Sequence, residues 1–161
     1  MITKYKRMYE LKKNQYKTIW LRTEDGTTDT DRIKFTFDKL PLIKIIGEKN
    51  ILKINSITLS GDGLSSAPGH NWVIKLGNVK FNQTLYFNSD KDTTPTIAMI
   101  NYDQNNSVQN GNLSLELEKQ DINQIILYIT AHTGTADAHG AIKNSQNINF
   151  HIGICIEEQF E

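Results

Sequence analysis

The chain has 161 residues, 38% of them hydrophobic and 22% charged, with 18 basic and 18 acidic side chains. A chain of this length buries roughly 70% of its unfolded surface, so it can close a hydrophobic core without staples. Cys155 is its only cysteine, which excludes an intrachain disulfide and a cysteine-based zinc site. No apolar run approaches the roughly 18 residues of a membrane-spanning helix. The charges in Met1–Tyr16 occupy the place of a signal peptide's apolar stretch, so the sequence predicts a soluble protein not exported by that route.

The charge is unevenly spread. Lys4, Lys6, Arg7, Lys12, Lys13 and Lys17 face only Glu10 in the first seventeen residues, a net +5 that leaves −5 on the remainder. Tyr5, Met8, Tyr9 and Lys12 have the i, i+3, i+4, i+7 spacing of a short amphipathic helix. Residues 1–16 therefore read as a basic N-terminal arm, and residues 17–161 as a β domain. The arm cations Lys4, Lys6, Arg7, Lys12 and Lys13 are expected to grip the acidic surface of a neighbouring subunit. Interleaved with Tyr5, Tyr9 and Tyr16 they could also neutralise phosphates and stack on bases, but even with Lys17 six cations are too few to declare a nucleic-acid binder.

From there on, period-two alternation dominates, which places every second side chain on one face of a strand. Candidate strands run over 17–22, 32–37, 42–46, 50–60, 71–76, 83–87, 96–102, 112–117, 124–131 and 147–157. The last is the clearest, with Ile148, Phe150, Ile152, Ile154 and Ile156 alternating with Asn149, His151, Gly153, Cys155 and Glu157. Within 50–60 the apolar parity changes between Ile54 and Ile57, which predicts a bulge or a corner between sheets. Leu117–Asn123 reads as a connection. Many short strands with polar turns and scarcely any helix predict an all-β, antiparallel jelly-roll-type sandwich of about eight or nine strands. The paired core cysteines of an immunoglobulin sandwich are missing. Trp20, Ile43, Val73, Ile100, Tyr102, Ile126 and Tyr128 fall on the opposite parity from the nearest apolar residues of their runs. Such two-sided strands need cover from loops, the arm or another chain.

No catalytic, cofactor or metal site is expected. His132, Asp137 and His139 share one loop but match no recognised ligand spacing. Asp90 and Asp92, and likewise Asp25, Asp29 and Asp31, lack the ordered oxygen ligands of a calcium loop. Gly61-Asp62-Gly63 lacks the Lys-Ser/Thr ending of a phosphate-binding loop and reads as a turn, as His70 reads as a loop residue at a strand start. His151 and Cys155 share a strand face roughly 13 Å apart by strand rise, too far for a nucleophile and its base.

The basic arm, the nearly helix-free body and the two-sided apolar strands together resemble single-jelly-roll viral capsid proteins of the minor capsid or penton type. The resemblance implies a structural virion protein, made in the host cytoplasm, that assembles with copies of itself and with other capsid proteins through its β domain and arm. It implies no enzyme activity and no cofactor. The alternative is a carbohydrate- or receptor-binding module of a phage tail or similar appendage, with Trp72, Tyr86, Tyr102 or Tyr128 as a platform for sugar rings. A third is a cupin-like enzyme using His132, Asp137 and His139.

Overall fold

The structure is a computed structural model that describes residues 14–28, 34–60, 71–82, 94–103, 106–110, 114–131 and 149–160. Its strands are β1 (Gln15–Arg22), β2 (Thr27–Thr28), β3 (Lys34–Phe37), β4 (Ile43–Ile45), β5 (Lys49–Ser60) and β6 (Asn71–Gly77). They continue with β7 (Thr96–Asp103), β8 (Asn106–Asn110), β9 (Ser114–Leu117), β10 (Gln120–Ile122), β11 (Ile125–Ala131) and β12 (Asn149–Gln159). A 3-10 turn, Thr23–Asp25, is the only helical element among the described residues.

Two antiparallel sheets carry the fold, one in the order β1-β12-β5-β9 and the other in the order β2-β3-β11-β6-β7-β8. Set aside the short or peripheral β2, β4, β8 and β10, and the first sheet holds the first, eighth, third and sixth principal strands. The second holds the second, seventh, fourth and fifth. Every connection but one thus crosses between sheets, which is the double Greek key of a jelly roll. β4 and β10 form a separate two-stranded ribbon.

The inner faces meet in one core. Ile19, Leu21, Leu52, Ile152, Ile154 and Ile156 come from the first sheet, and Phe35, Phe37, Trp72, Ile74, Leu127 and Ile129 from the second. Phe150 joins the layers, its ring edge-on to Phe35 at 4.7 Å and to Phe37 at 6.2 Å. The Thr23 hydroxyl accepts a 2.7 Å bond from the Phe150 N–H, pinning the 3-10 turn to the start of β12.

The parity change in β5 is a bulge: Ile54 pairs with Ile154 and Ser56 with Gly153, leaving Asn55 as the extra residue. It is not a corner, because β5 stays in one sheet throughout. The bulge lets Ile54 and Leu59, five residues apart, both enter the core. β10 lies inside the stretch read as a connection, and β2 and β8 were not expected. The 83–87 strand and the helix around Tyr5–Lys12 lie outside the described residues.

The two-sided strands are resolved case by case. Ile100, paired with Trp72, faces the core rather than away from it. Val73 lies outside the core cluster yet is buried by the chain itself. Ile126 and Tyr128 are half-buried, Ile43 packs against the core's rim, and Trp20 is exposed. The side chain of Tyr102 lies outside the described residues.

Candidate functional site

β1 is the outermost strand of the first sheet; β12 pairs with one side of it, and no described strand pairs with the other. Such an edge offers unpaired backbone N–H and C=O groups to another chain. Along β1 the alternation sends Ile19 and Leu21 into the core and leaves Tyr16 64% and Trp20 50% exposed. The Trp20 indole lies across Gly153, its direct neighbour on β12. A Cβ on Gly153 would fall 2.6 Å from indole Cζ3, so the glycine provides the space the ring uses. His151 flanks the indole at 4.9 Å between ring centroids, tilted by 56°.

Next to this edge runs the segment from Leu40 to Ile46. Pro41 withholds a backbone N–H and fixes φ, which suits the unpaired approach to β4, whose Ile43–Ile45 pair with β10. Leu40 packs against the core, while Leu42 and Ile46 stand 54% and 58% exposed. With Ile19, Trp20 and Ile43 they border a groove of about 580 Å³. All the exposed large hydrophobic side chains among the described residues, Tyr16, Trp20, Leu42 and Ile46, thus lie on β1 or on the segment beside it.

A buried carboxylate fastens the two walls. The side chain of Glu158 on β12 is wholly buried and ion-paired to Lys17 of β1. Its Oε1 accepts the Ile46 N–H at 2.7 Å and the Gly47 N–H at 3.3 Å. Lys17 Nζ also donates to the Lys44 carbonyl at 2.7 Å. Burial pushes the Glu158 carboxyl up, but the hydrogen bonds from Lys17, Ile46 and Gly47, with the Lys17 charge, outweigh it and hold the group below its ordinary range. The adjoining corner is tight. Asn50 Nδ2 donates to the Gly47 carbonyl at 2.9 Å and Glu48 N–H to the Gln159 carbonyl at 2.8 Å. A Cβ on Gly47 would meet Asn50 Oδ1 at 2.4 Å.

The chain enters β1 at Asn14, whose Nδ2 donates to Glu157 Oε1 at 2.8 Å. Hydrogen bonds from Gln159, then Lys53 and Asn14, hold the Glu157 carboxyl below its usual range against the opposing effect of burial. Lys4, Lys6, Arg7, Lys12 and Lys13 lie outside the described residues. Lys17, at the expected start of the β domain, pairs with Glu158, and the strand starts at Gln15 rather than at residue 17.

Of the aromatic residues read as a platform, Trp72 is fully buried in the core and cannot serve. Tyr86 lies outside the described residues, and Tyr128 is half-buried beside a second cleft. The exposed tryptophan is Trp20. Cys155 is half-buried, and the ring contact of His151 is the tilted one with Trp20. Asp25 is described, and it pairs with Arg22 at 2.7 Å. His70, Asp90, Asp92, His132, Asp137, His139, Asp29, Asp31 and residues 61–63 lie outside the described residues. Among the described residues no cluster of His, Cys, Asp and Glu could hold a metal ion, and no helix is long and apolar enough to cross a membrane.

Glu158 was missed, though the alternation signals it. It follows Ile152, Ile154 and Ile156 on the apolar parity of β12, where a carboxylate needs a buried partner. Asn50 precedes Leu52 and Ile54 in the same way and is also buried. The arrangement defines a jelly-roll sandwich with an apolar sheet edge that no described strand covers. Neither a protein-family model nor a curated protein sequence matches the chain.

Proposed function

We propose that this protein is a structural subunit that assembles with copies of itself through the open β1 edge, as a jelly-roll capsid subunit of the minor capsid or penton type. The observation that carries this reading is the gathering of the exposed large apolar side chains at a sheet edge that no described strand covers. An exposed apolar patch on an unpaired edge costs solubility and invites pairing unless another chain covers it. Burying about 400 Å² of such surface contributes on the order of 10 kcal/mol before association costs are subtracted. The basic arm supports the same reading. It directly precedes this strand in the chain, and its positive charge complements the acidic remainder of a neighbouring copy.

Light scattering across a concentration series tests the proposal on three proteins: the full chain, a chain lacking residues 1–13, and the Trp20→Ser, Leu42→Ser, Ile46→Ser triple variant. The deletion spares Asn14 and all of β1. The full chain is expected to self-associate, the deletion to associate more weakly, with the salt sensitivity of the full chain reduced, and the triple variant to remain monomeric while folded. A full chain that stays monomeric at every concentration and joins no lattice removes the basis for the proposal.

A further inference from the structure

A second concavity lies away from the β1 edge, where β6 ends and β10 turns into β11. It is a cleft of about 790 Å³, within the range of small-ligand sites. Its aromatic wall is Tyr128. A Cβ on Gly77 would sit 3.2 Å from Tyr128 Cε2, so the glycine lets the phenol ring lie along the sheet beside the cleft. Asn78 follows with φ 63°, the left-handed conformation that asparagine tolerates better than other side-chain-bearing residues. That turn aims its Nδ2 at both the carbonyl and the Oε1 of Gln124, each at 3.2 Å. Two residues beyond Asn78, beside Lys80, Gln120 is fully engaged. Its Oε1 accepts the Lys80 N–H at 2.9 Å, and its Nε2 donates to the Lys80 and Glu118 carbonyls at 2.7 and 3.0 Å. This fixes the wall that carries the exposed carboxylate of Asp121, which has no hydrogen-bond or ion-pair partner among the described residues.

We infer that this cleft binds a neutral saccharide. The phenol ring offers an apolar face for the C–H side of a pyranose. The locked Asn78–Gln124 amide pair and the Asp121 carboxylate offer donors and acceptors at fixed positions for neighbouring hydroxyls. Charge separates this ligand class from others. Lys119 is paired with Glu48 at 2.8 Å, and Lys80 shares the rim with Glu118 and Asp121, so the cleft has no excess of cations for a phosphate or sulfate. The predominance of polar groups disfavours a lipid or an aliphatic peptide. The inference goes beyond assembly and does not rest on it, because the cleft shares no residue with the β1 groove.

The test is an array of oligosaccharides ending in glucose, galactose, mannose or N-acetylhexosamine, with sialylated and sulfated glycans as a separate arm. The best-retained oligosaccharide is then titrated into the full chain and its variants. Neutral glycans are expected to bind, Asp121→Asn and Asn78→Gly each to weaken binding at least tenfold, and Tyr128→Phe to retain most of it. Asn78→Gly removes the amide while allowing the positive φ, and Asp121 is exposed, so both variants should melt as the parent does. Both should also scatter light as the parent does, which keeps this outcome distinct from that of the assembly proposal. The inference is overturned if no neutral glycan binds, if only sialylated or sulfated glycans bind, or if binding survives both variants.

Discussion

Replacing Glu158 by alanine removes a buried carboxylate that accepts two backbone N–H bonds and pairs with Lys17. A hydrogen bond to a charged group contributes about 1.5–3 kcal/mol, and the longer Gly47 bond belongs at the low end. The ion pair adds at most about 1 kcal/mol, because the Lys17 side chain is 32% exposed and partly hydrated. Some water will reach the vacated site, so Glu158→Ala is expected to cost about 4 kcal/mol. At about 2–4 °C per kcal/mol for a chain of this size, the melting temperature should fall by roughly 8–16 °C. Glu158→Gln keeps an acceptor for both N–H groups and should cost about half as much. The pH dependence has a definite sign. A carboxyl whose folded pKa is depressed contributes stability above its unfolded value, roughly 4.3, and loses it as pH falls through the folded value. The gap between parent and Glu158→Gln, measured by urea denaturation, should therefore be full at pH 7 and shrink on acidification below about pH 4. Glu158→Ala within about 1 kcal/mol of the parent at pH 7, or a gap that widens in acid, would refute the role given to this carboxylate.

Three further outcomes are expected. Gly47→Ala drives a Cβ against Asn50 Oδ1 and Glu158 Cβ and should destabilise by about 1–3 kcal/mol; an unchanged urea midpoint would count against the packed corner. Phe150→Ala empties the contact between the layers at Phe35 and Phe37 and should cost about 3–5 kcal/mol in the same assay; a loss under 1 kcal/mol would mean that the sheets do not pack there. The two tryptophans differ sharply in exposure, so acrylamide should quench Trp20 and spare Trp72. Trp20→Phe should leave a blue-shifted, weakly quenched emission, and assembly of the parent should protect Trp20; a variant still quenched like the parent would contradict the buried placement of Trp72.

Where one parity is apolar and the other polar, the sequence predicts both strand and facing. β12, β9 and β3 are of this kind, whereas in β1 the run Ile19-Trp20-Leu21 is apolar on both parities and the exposure of Trp20 emerges only from the fold. In β6 the run Trp72-Val73-Ile74 is apolar on both parities, so alternation could not show that Trp72 belongs to the core. β2 and β10 have two or three residues each, too few for a period to declare itself, whereas the equally short β4 falls within the expected 42–46 strand. β8 is nearly all polar, so its place beside β7 follows from backbone pairing that side-chain patterning does not encode. The groove depends on β1 and the Leu40–Ile46 segment meeting across some twenty residues of intervening chain. Local alternation carries no information about such a meeting; the misplaced carboxylate at Glu158 was its one visible trace.

β12 lies between β1 and β5, although most of the chain separates it from both: Gln15 pairs with Glu158, and Lys49 with Gln159. During synthesis the first sheet therefore cannot close until the last of these strands has left the ribosome. Until then β1 and β5 each keep a vacant side where β12 belongs. Pairing over such sequence separations is slow, and polysomes hold several nascent chains at the same stage close together. A β12 released by one chain can then enter the gap of another, giving an exchanged dimer that has every native contact but the wrong connectivity. Slowing elongation over residues 149–159 should raise the yield of such dimers, whereas refolding at high dilution should suppress them.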